Sequence, residues 1–303
     1  MLTLIAWALF SRYWFVQVVQ KFLRYQWKRY EVPRFFHAYT LKQYIMTDCN
    51  MQLEELFARW IERSKQNNEP REEGYGCVIF TKDGLMEKND TSINIYEAWQ
   101  QAQRRVMFLV KDQPSKWCDD SRFWLKDIDD EKPQDRQNKV NNRALKSRFL
   151  HNIADMFWGL WNATPNDLCT SEQLRASYEQ VKECFNKHPF AYVECKKQGG
   201  TTSIADHTLL TYLNKYGDLL REEIELLDPN IIVCTNPHIY NFVQNMYGDE
   251  FEMIKNHNSI RIDMKRKKVI LLTYHPSAWN VNVYEGVMDH FRAYLQSDYP
   301  KFL

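Results

Sequence analysis

The chain has little glycine, nine residues in 303, and none of the glycine-built loops that mark nucleotide or ester chemistry. It has no G-x-x-x-x-G-K-[ST] phosphate loop and no G-x-G-x-x-G turn, which argues against P-loop and dinucleotide-binding folds. It has no G-x-S-x-G elbow, so a Ser-His-Asp hydrolase would lack the turn that presents its nucleophile. H-E-x-x-H is missing and the eight histidines are scattered, so no metal site and no cofactor are expected. The seven cysteines, at 49, 77, 118, 169, 184, 195 and 234, include no C-x-x-C pair. An odd, unpatterned set indicates free thiols in a reducing compartment, hence an intracellular, cytoplasmic protein without a disulfide framework. The net charge is only +1, so any contact with nucleic acid must rest on local patches.

What is present is a globular composition, 44% hydrophobic and 26% charged, long enough for one large core. Residues 1–45 stand apart. Leu2 to Val19 is mostly apolar, and Lys21, Arg24, Lys28, Arg29 and Arg34 follow. The run is barely long enough to span a bilayer, and Arg12 at its middle would cost about 2.5–3.5 kcal/mol there. It also lacks the charged start and cleavage site of a secretory signal. Three readings stand: an over-called or non-native start with Met46 or Met51 as the true one, a peripheral amphipathic or packed helix, or a membrane anchor. Residues 46–303 are expected to form a single domain.

Within that domain, Leu53, Leu56, Phe57, Trp60 and Ile61 keep helical spacing. Cys77–Phe80 reads as a short strand and Asp83-Gly84 as a turn. A helix is expected from an N-cap at Ser92, feeding the apolar strand Val106–Val110. Ser115 to Lys146 is a long charged stretch with no apolar period. Phe149 to Trp161 gives a strong helix, and Thr170-x-x-Gln173 a capping box that opens a helix to about Phe185. The strand Phe190–Val193, a helix from Leu209 to Leu227 stopped by Asp228-Pro229, and the strand Ile231–Cys234 follow. A short helix Ile239–Tyr247, the segment Ile260–Ile262 and a basic turn Lys265–Lys268 lead to the strand Val269–Thr273 and a last helix through Tyr284, Val287, Met288, Phe291 and Leu295. Strands separated by helices in this rhythm predict a three-layer α/β/α fold with a central, mainly parallel sheet of about four strands.

In such sheets ligands bind outside the carboxyl ends of the strands. Two strand ends carry reactive groups there: Asp112 in Lys111-Asp-Gln-Pro-Ser115, and His275 in Tyr274-His-Pro-Ser277. With the other chemistries set aside, a carboxylate and an imidazole suit hydrolysis of a glycosidic bond through a cationic sugar. The carboxylate would stabilise the oxocarbenium-like state and the second group the leaving group.

These two loops, in this order, resemble the uracil-DNA glycosylase superfamily. Lys111-Asp112-Gln113-Pro114 is similar to its first motif and His275-Pro276-Ser277 to its second. The helix from Phe149 to Leu160, with Asn152-Ile153, and the run Leu226-Leu-Asp-Pro-Asn-Ile-Ile-Val233 resemble two further segments, so the likeness covers about Arg104 to Gln296. The resemblance implies a DNA partner and action as a monomer. It implies that Asp112 orients water, that His275 hydrogen-bonds the base carbonyl, and that Gln113, Pro114 and Ser115 help hold the substrate. Ser277 would grip a phosphate, Trp279 would fill the gap left by a flipped nucleotide, and Lys196, Lys197, Lys265 and Lys267 would contact the DNA backbone. Asn236 and Glu194, at two other strand ends, complete the substrate-binding set.

The chain departs from the family at Lys111, where a glycine is usual, and at the end of the Phe190–Val193 strand. Many members read the base there with an asparagine. Here Glu194 stands near that place, and a carboxylate suits an exocyclic amine, which uracil lacks. Cys195 is similar to one ligand of the iron–sulfur members, but its C-x-x-C partners are missing, so no cluster is expected. Two alternatives remain: a non-catalytic nucleic-acid or nucleotide binder on the same fold, and an unrelated α/β hydrolase or transferase acting on a nucleoside-like substrate.

Overall fold

A computed structural model describes residues 34–69, 80–88, 90–111, 120–123, 148–199, 204–248 and 250–303, with side chains from Cys49 onward. The first 33 residues, residues 77–79 of the strand expected at Cys77–Phe80, and most of the 115–146 stretch lie outside these. The chain divides into two compact units, 1–50 and 51–303, and the second carries the sheet.

Among the described residues, seven strands form that sheet in the order β1-β3-β2-β4-β7-β6-β5. They are β1 (Gly84–Leu85), β2 (Val106–Val110), β3 (Ala191–Glu194), β4 (Ile231–Cys234), β5 (Glu252–Ile254), β6 (His257–Asp263) and β7 (Lys268–Leu272). The four inner strands are parallel: Phe108 of β2 lies opposite Tyr192 of β3 and Val233 of β4, and Val233 opposite Leu271 of β7. The margins are antiparallel, β1 on β3 at one side and the β5/β6 hairpin on β7 at the other. This corrects the expected mainly parallel sheet of about four strands. The molecule is mixed α/β, with three parallel and three antiparallel pairings. The marginal strands β1 and β5 are two and three residues long, too short to show a period of two.

The described residues form the helices α1 (Arg34–Gln66), α2 (Ile95–Gln101), α3 (Arg148–Asn162), α4 (Ser171–Ala176), α5 (Tyr178–Lys187), α6 (Asp206–Leu227), α7 (Pro237–Tyr247) and α8 (Val283–Gln296). Val106, Phe108, Val110, Val233, Val269 and Leu271 enter one core with Ile153, Phe157 and Leu160 of α3 and Val287, Met288 and Phe291 of α8. The alternate residues Met107, Leu109, Ile232 and Ile270 are just as buried, which is why these strands read as unbroken apolar runs. Gly159 lets α3 and α8 close up, since a Cβ there would sit 2.8 Å from Met288 Sδ and the Tyr284 ring. Among the described residues no helix is long and apolar enough to cross a membrane.

Chain punctuation explains the helix ends. Asn94, not Ser92, caps α2 by accepting from the Glu97 amide at 3.2 Å, while the Ser92 amide and hydroxyl bond the Asp90 carboxylate. Thr170 and Gln173 form the reciprocal capping box of α4. The helix expected to run on to Phe185 is instead broken at Ser177 into α4 and α5. Asp228 ends α6 in the left-handed region at φ 45°, and its carboxylate accepts from Arg105 at 2.9 Å and Lys268 at 2.7 Å. Asp83-Gly84 is no exposed turn: Asp83 is fully buried and Gly84, at φ 126°, opens β1.

Candidate functional site

Because β2, β3, β4 and β7 are parallel, Val110, Glu194, Cys234 and Leu272 finish at one edge of the sheet. Backbone bonds carry the ladder slightly past them: the Lys196 amide donates to Lys111 O at 2.9 Å, and the Thr273 amide to Cys234 O at 2.9 Å. The loop after β7 then turns tightly, with the Ala278 amide donating to His275 O at 2.8 Å. Asn152 on α3 pins this loop, its Nδ2 donating to Pro276 O at 2.6 Å.

His275 is half-buried against Phe149, ring centroids 5.7 Å apart. Phe149 in turn meets Tyr192 of β3 edge-on at 5.9 Å. Burial, aided by the nearby Lys111 ammonium, holds the imidazole down to about 4, so the ring is neutral at neutral pH. The Ser277 amide donates to His275 Nδ1 at 3.2 Å, which assigns the remaining ring proton to Nε2. Beyond this loop Trp279 stands 82% exposed, its ring covered by the Arg148 guanidinium at 4.8 Å. Tyr274 and Ser277 are exposed beside it. A neutral N–H donor, an exposed indole and a cation therefore share one loop cluster at the carboxyl edge.

The other expected site residues separate into distinct environments. Asp112, Gln113, Pro114 and Ser115 lie outside the described residues, directly after Lys111. Lys111 donates to Asp206 Oδ1 at 3.0 Å. Asn236 caps α7, its Oδ1 accepting from the His238 amide at 2.8 Å while its Nδ2 reaches Asp206 at 3.3 Å. Both ends of that side chain are thus engaged within the fold. Glu194 is fully buried; the Tyr192 hydroxyl donates to its carboxylate, and its amide donates to Asp83 Oδ2 at 2.7 Å. Its carboxylate therefore backs Tyr192 and is not presented at the surface.

The lysines expected on the DNA backbone are not one patch. Lys197 is fully buried. Its ammonium donates to Asp83 and, at 3.0 Å, to Glu223 Oε1. It is the cation of an internal triad and cannot reach a phosphate. Lys196 turns its ammonium back to the Gln198 carbonyl. Lys265 and Lys267 sit in the β6–β7 turn, beside the Asp263–Lys268 pair, at the opposite end of β7 from His275. Five strand residues at about 3.3 Å each keep that turn roughly 15 Å from the carboxyl edge. Among the described residues, only Ser277 and Trp279 of the expected contacts stand with His275.

Sequence reasoning missed Phe149, Tyr192 and Arg148 as site-lining groups, although Phe149 and Arg148 open a helix whose strength was plain. It also missed a meeting of histidines. His257 and His290, 33 positions apart, face each other with Asp289 beside them.

No model of a known protein family and no curated protein matches this chain.

Proposed function

We propose that this protein is a DNA glycosylase that hydrolyses the N-glycosidic bond of a flipped-out modified base and leaves an abasic site. The observation that carries the reading is His275: a neutral imidazole with its proton on Nε2, held at the carboxyl end of a parallel strand beside an exposed tryptophan. Negative charge develops on a base carbonyl as the glycosidic bond breaks, and a fixed neutral donor there stabilises it. Asp112, which follows β2 and Lys111, orients the attacking water and stabilises the cationic sugar. Trp279 and Arg148 stack on and neutralise the strand, and Ser277 takes a phosphate. On this reading the domain is a three-layer α/β/α member of the uracil-DNA glycosylase superfamily, acting as a monomer on DNA within the cell.

A second reading, a binder that releases no base, is favoured by one observation. The apolar recess behind Phe149, lined also by Met86, Ile153, Phe185, Phe190 and Tyr192, holds only about 10 Å³, room for at most one water. A base must therefore seat outside it, against Phe149 and His275. Base release separates the two readings. The protein and its Asp112→Ala and His275→Ala variants are incubated with oligonucleotides carrying uracil, hypoxanthine, xanthine or modified cytosines, then treated with alkali. Strand cleavage that Asp112→Ala abolishes supports the glycosylase and names the base. Salt-sensitive DNA binding without cleavage supports the binder.

A further inference from the structure

The cluster of His257, Asp289 and His290 has no part in the chemistry proposed above. His257 opens β6, just after the β5–β6 turn where Asn256 takes φ 67°. Asp289 and His290 sit in the middle of α8. The two Nδ1 atoms are 3.0 Å apart, and the rings stand at 87° with centroids 5.2 Å apart. Asp289 Oδ2 lies 3.7 Å from His257 Nδ1, and one ligand atom from each residue falls within 4.8 Å of the others.

We propose that these three side chains bind one divalent transition-metal ion of the zinc class. Ligand atoms at 2.0–2.1 Å from a tetrahedral ion are about 3.3 Å from one another. The 3.0 and 3.7 Å separations from His257 Nδ1 straddle that value, and all three ligand atoms lie within 4.8 Å of one another, close enough for one ion to draw them together. Two imidazoles with a single carboxylate select zinc, cobalt, nickel or copper over magnesium or calcium, which want oxygen ligands. The Nδ1–Nδ1 contact is a hydrogen bond in which one nitrogen carries the proton. On metal binding that proton moves to the Nε2 of its own ring, both Nδ1 lone pairs turn to the ion, and water fills the fourth corner. The histidines are half-buried and Asp289 is exposed, so an ion has an open path from solvent. Bound there, the ion fastens the β5/β6 hairpin to α8.

The test is titration of the full-length, metal-free, reduced protein with Co²⁺ alone, read by its visible d–d absorption, with Zn²⁺ as competitor. One equivalent is expected to bind, with affinity falling about 10–100-fold or more in His257→Gln and in His290→Gln. Asp289→Asn is expected to weaken binding less. Zn²⁺ in excess is expected to raise the Tm of the wild type by about 5 °C and of the histidine variants not at all. His257→Gln, at the hairpin, serves as the fold-preserving variant should the helical substitution fail to fold. Binding equal in wild type and His257→Gln, an intense thiolate charge-transfer band marking cysteine ligands, or no stoichiometric binding would each overturn the proposal.

Discussion

Replacing Lys197 with methionine separates a buried structural cation from a surface contact with DNA. Lys197, Asp83 and Glu223 are all fully buried. The ammonium bonds both carboxylates and lies 5.2 Å over the Trp60 ring. Methionine preserves most of the stem packing but removes the charge, so Asp83 loses the ammonium and keeps the Glu194 amide at 2.7 Å. Breaking a buried ion pair from one side costs about 3–5 kcal/mol, or a fall in Tm of roughly 6–20 °C at about 2–4 °C per kcal/mol. Thermal and urea melts would measure it. The salt dependence of DNA binding by the folded fraction is expected to stay unchanged. Glu223 supplies the control. Burial, and then the neighbouring Asp83, push its carboxyl well above the usual range, which favours the protonated form that glutamine mimics. A carboxyl whose folded pKa is raised contributes stability that is full below about pH 4.5 and is lost as pH rises toward the folded value. Glu223→Gln should therefore match the wild type near pH 4 and gain on it steadily at higher pH. The buried-cation account fails if Lys197→Met melts like the wild type while its log K against log salt slope drops by about one, or if the Glu223→Gln advantage grows toward acid.

The same geometry sets further outcomes. His275 is held down to about 4, below its ordinary value of about 6.5, so base release should persist from neutral pH to about pH 4 and fail below it. The same shift predicts stability that is present above about pH 6.5 and declines as pH falls toward 4, a slope that His275→Asn should remove in acid melts. Trp279→Ala should leave the stability within about 0.5 kcal/mol of the wild type in a melt but weaken single-strand binding by about 1–3 kcal/mol, whereas Lys265→Ala and Lys267→Ala should leave the salt slope untouched in a fluorescence titration. Asn152→Ala should cost about 1 kcal/mol or more by leaving Pro276 O without its donor, and kcat should fall with it if that bond positions His275.

The inner strands were legible because each is a run of branched apolar residues between turn signals, as in Ile231–Cys234 before Asn236-Pro237. Helix stops at Asp228 and the Thr170–Gln173 box were legible because their chemistry is local. The margins were not, since β1 has two residues and β6 alternates only partly. The site was half readable. His275 and Trp279 follow a strand in sequence, but Phe149 and Tyr192 reach them only through packing. Lys197 was misread for a similar reason: beside Lys196 it resembles a basic surface pair, while its partners are 114 and 26 residues away. Separation in sequence likewise hid His257 from His290, 33 residues away.

The antiparallel margins also govern what the sheet exposes. A parallel core strand such as β7, with Val269, Ile270 and Leu271 buried, would be a template for stray chains if its edge were bare. Instead the ladder tapers outward through β6 to a three-residue strand at one side, and to Gly84-Leu85 at the other. Such short rims give a foreign strand too few backbone groups to grip. The hairpin thus serves as a guard against edge-to-edge aggregation, and a chain trimmed of residues 251–263 would lose that protection along the whole flank of β7.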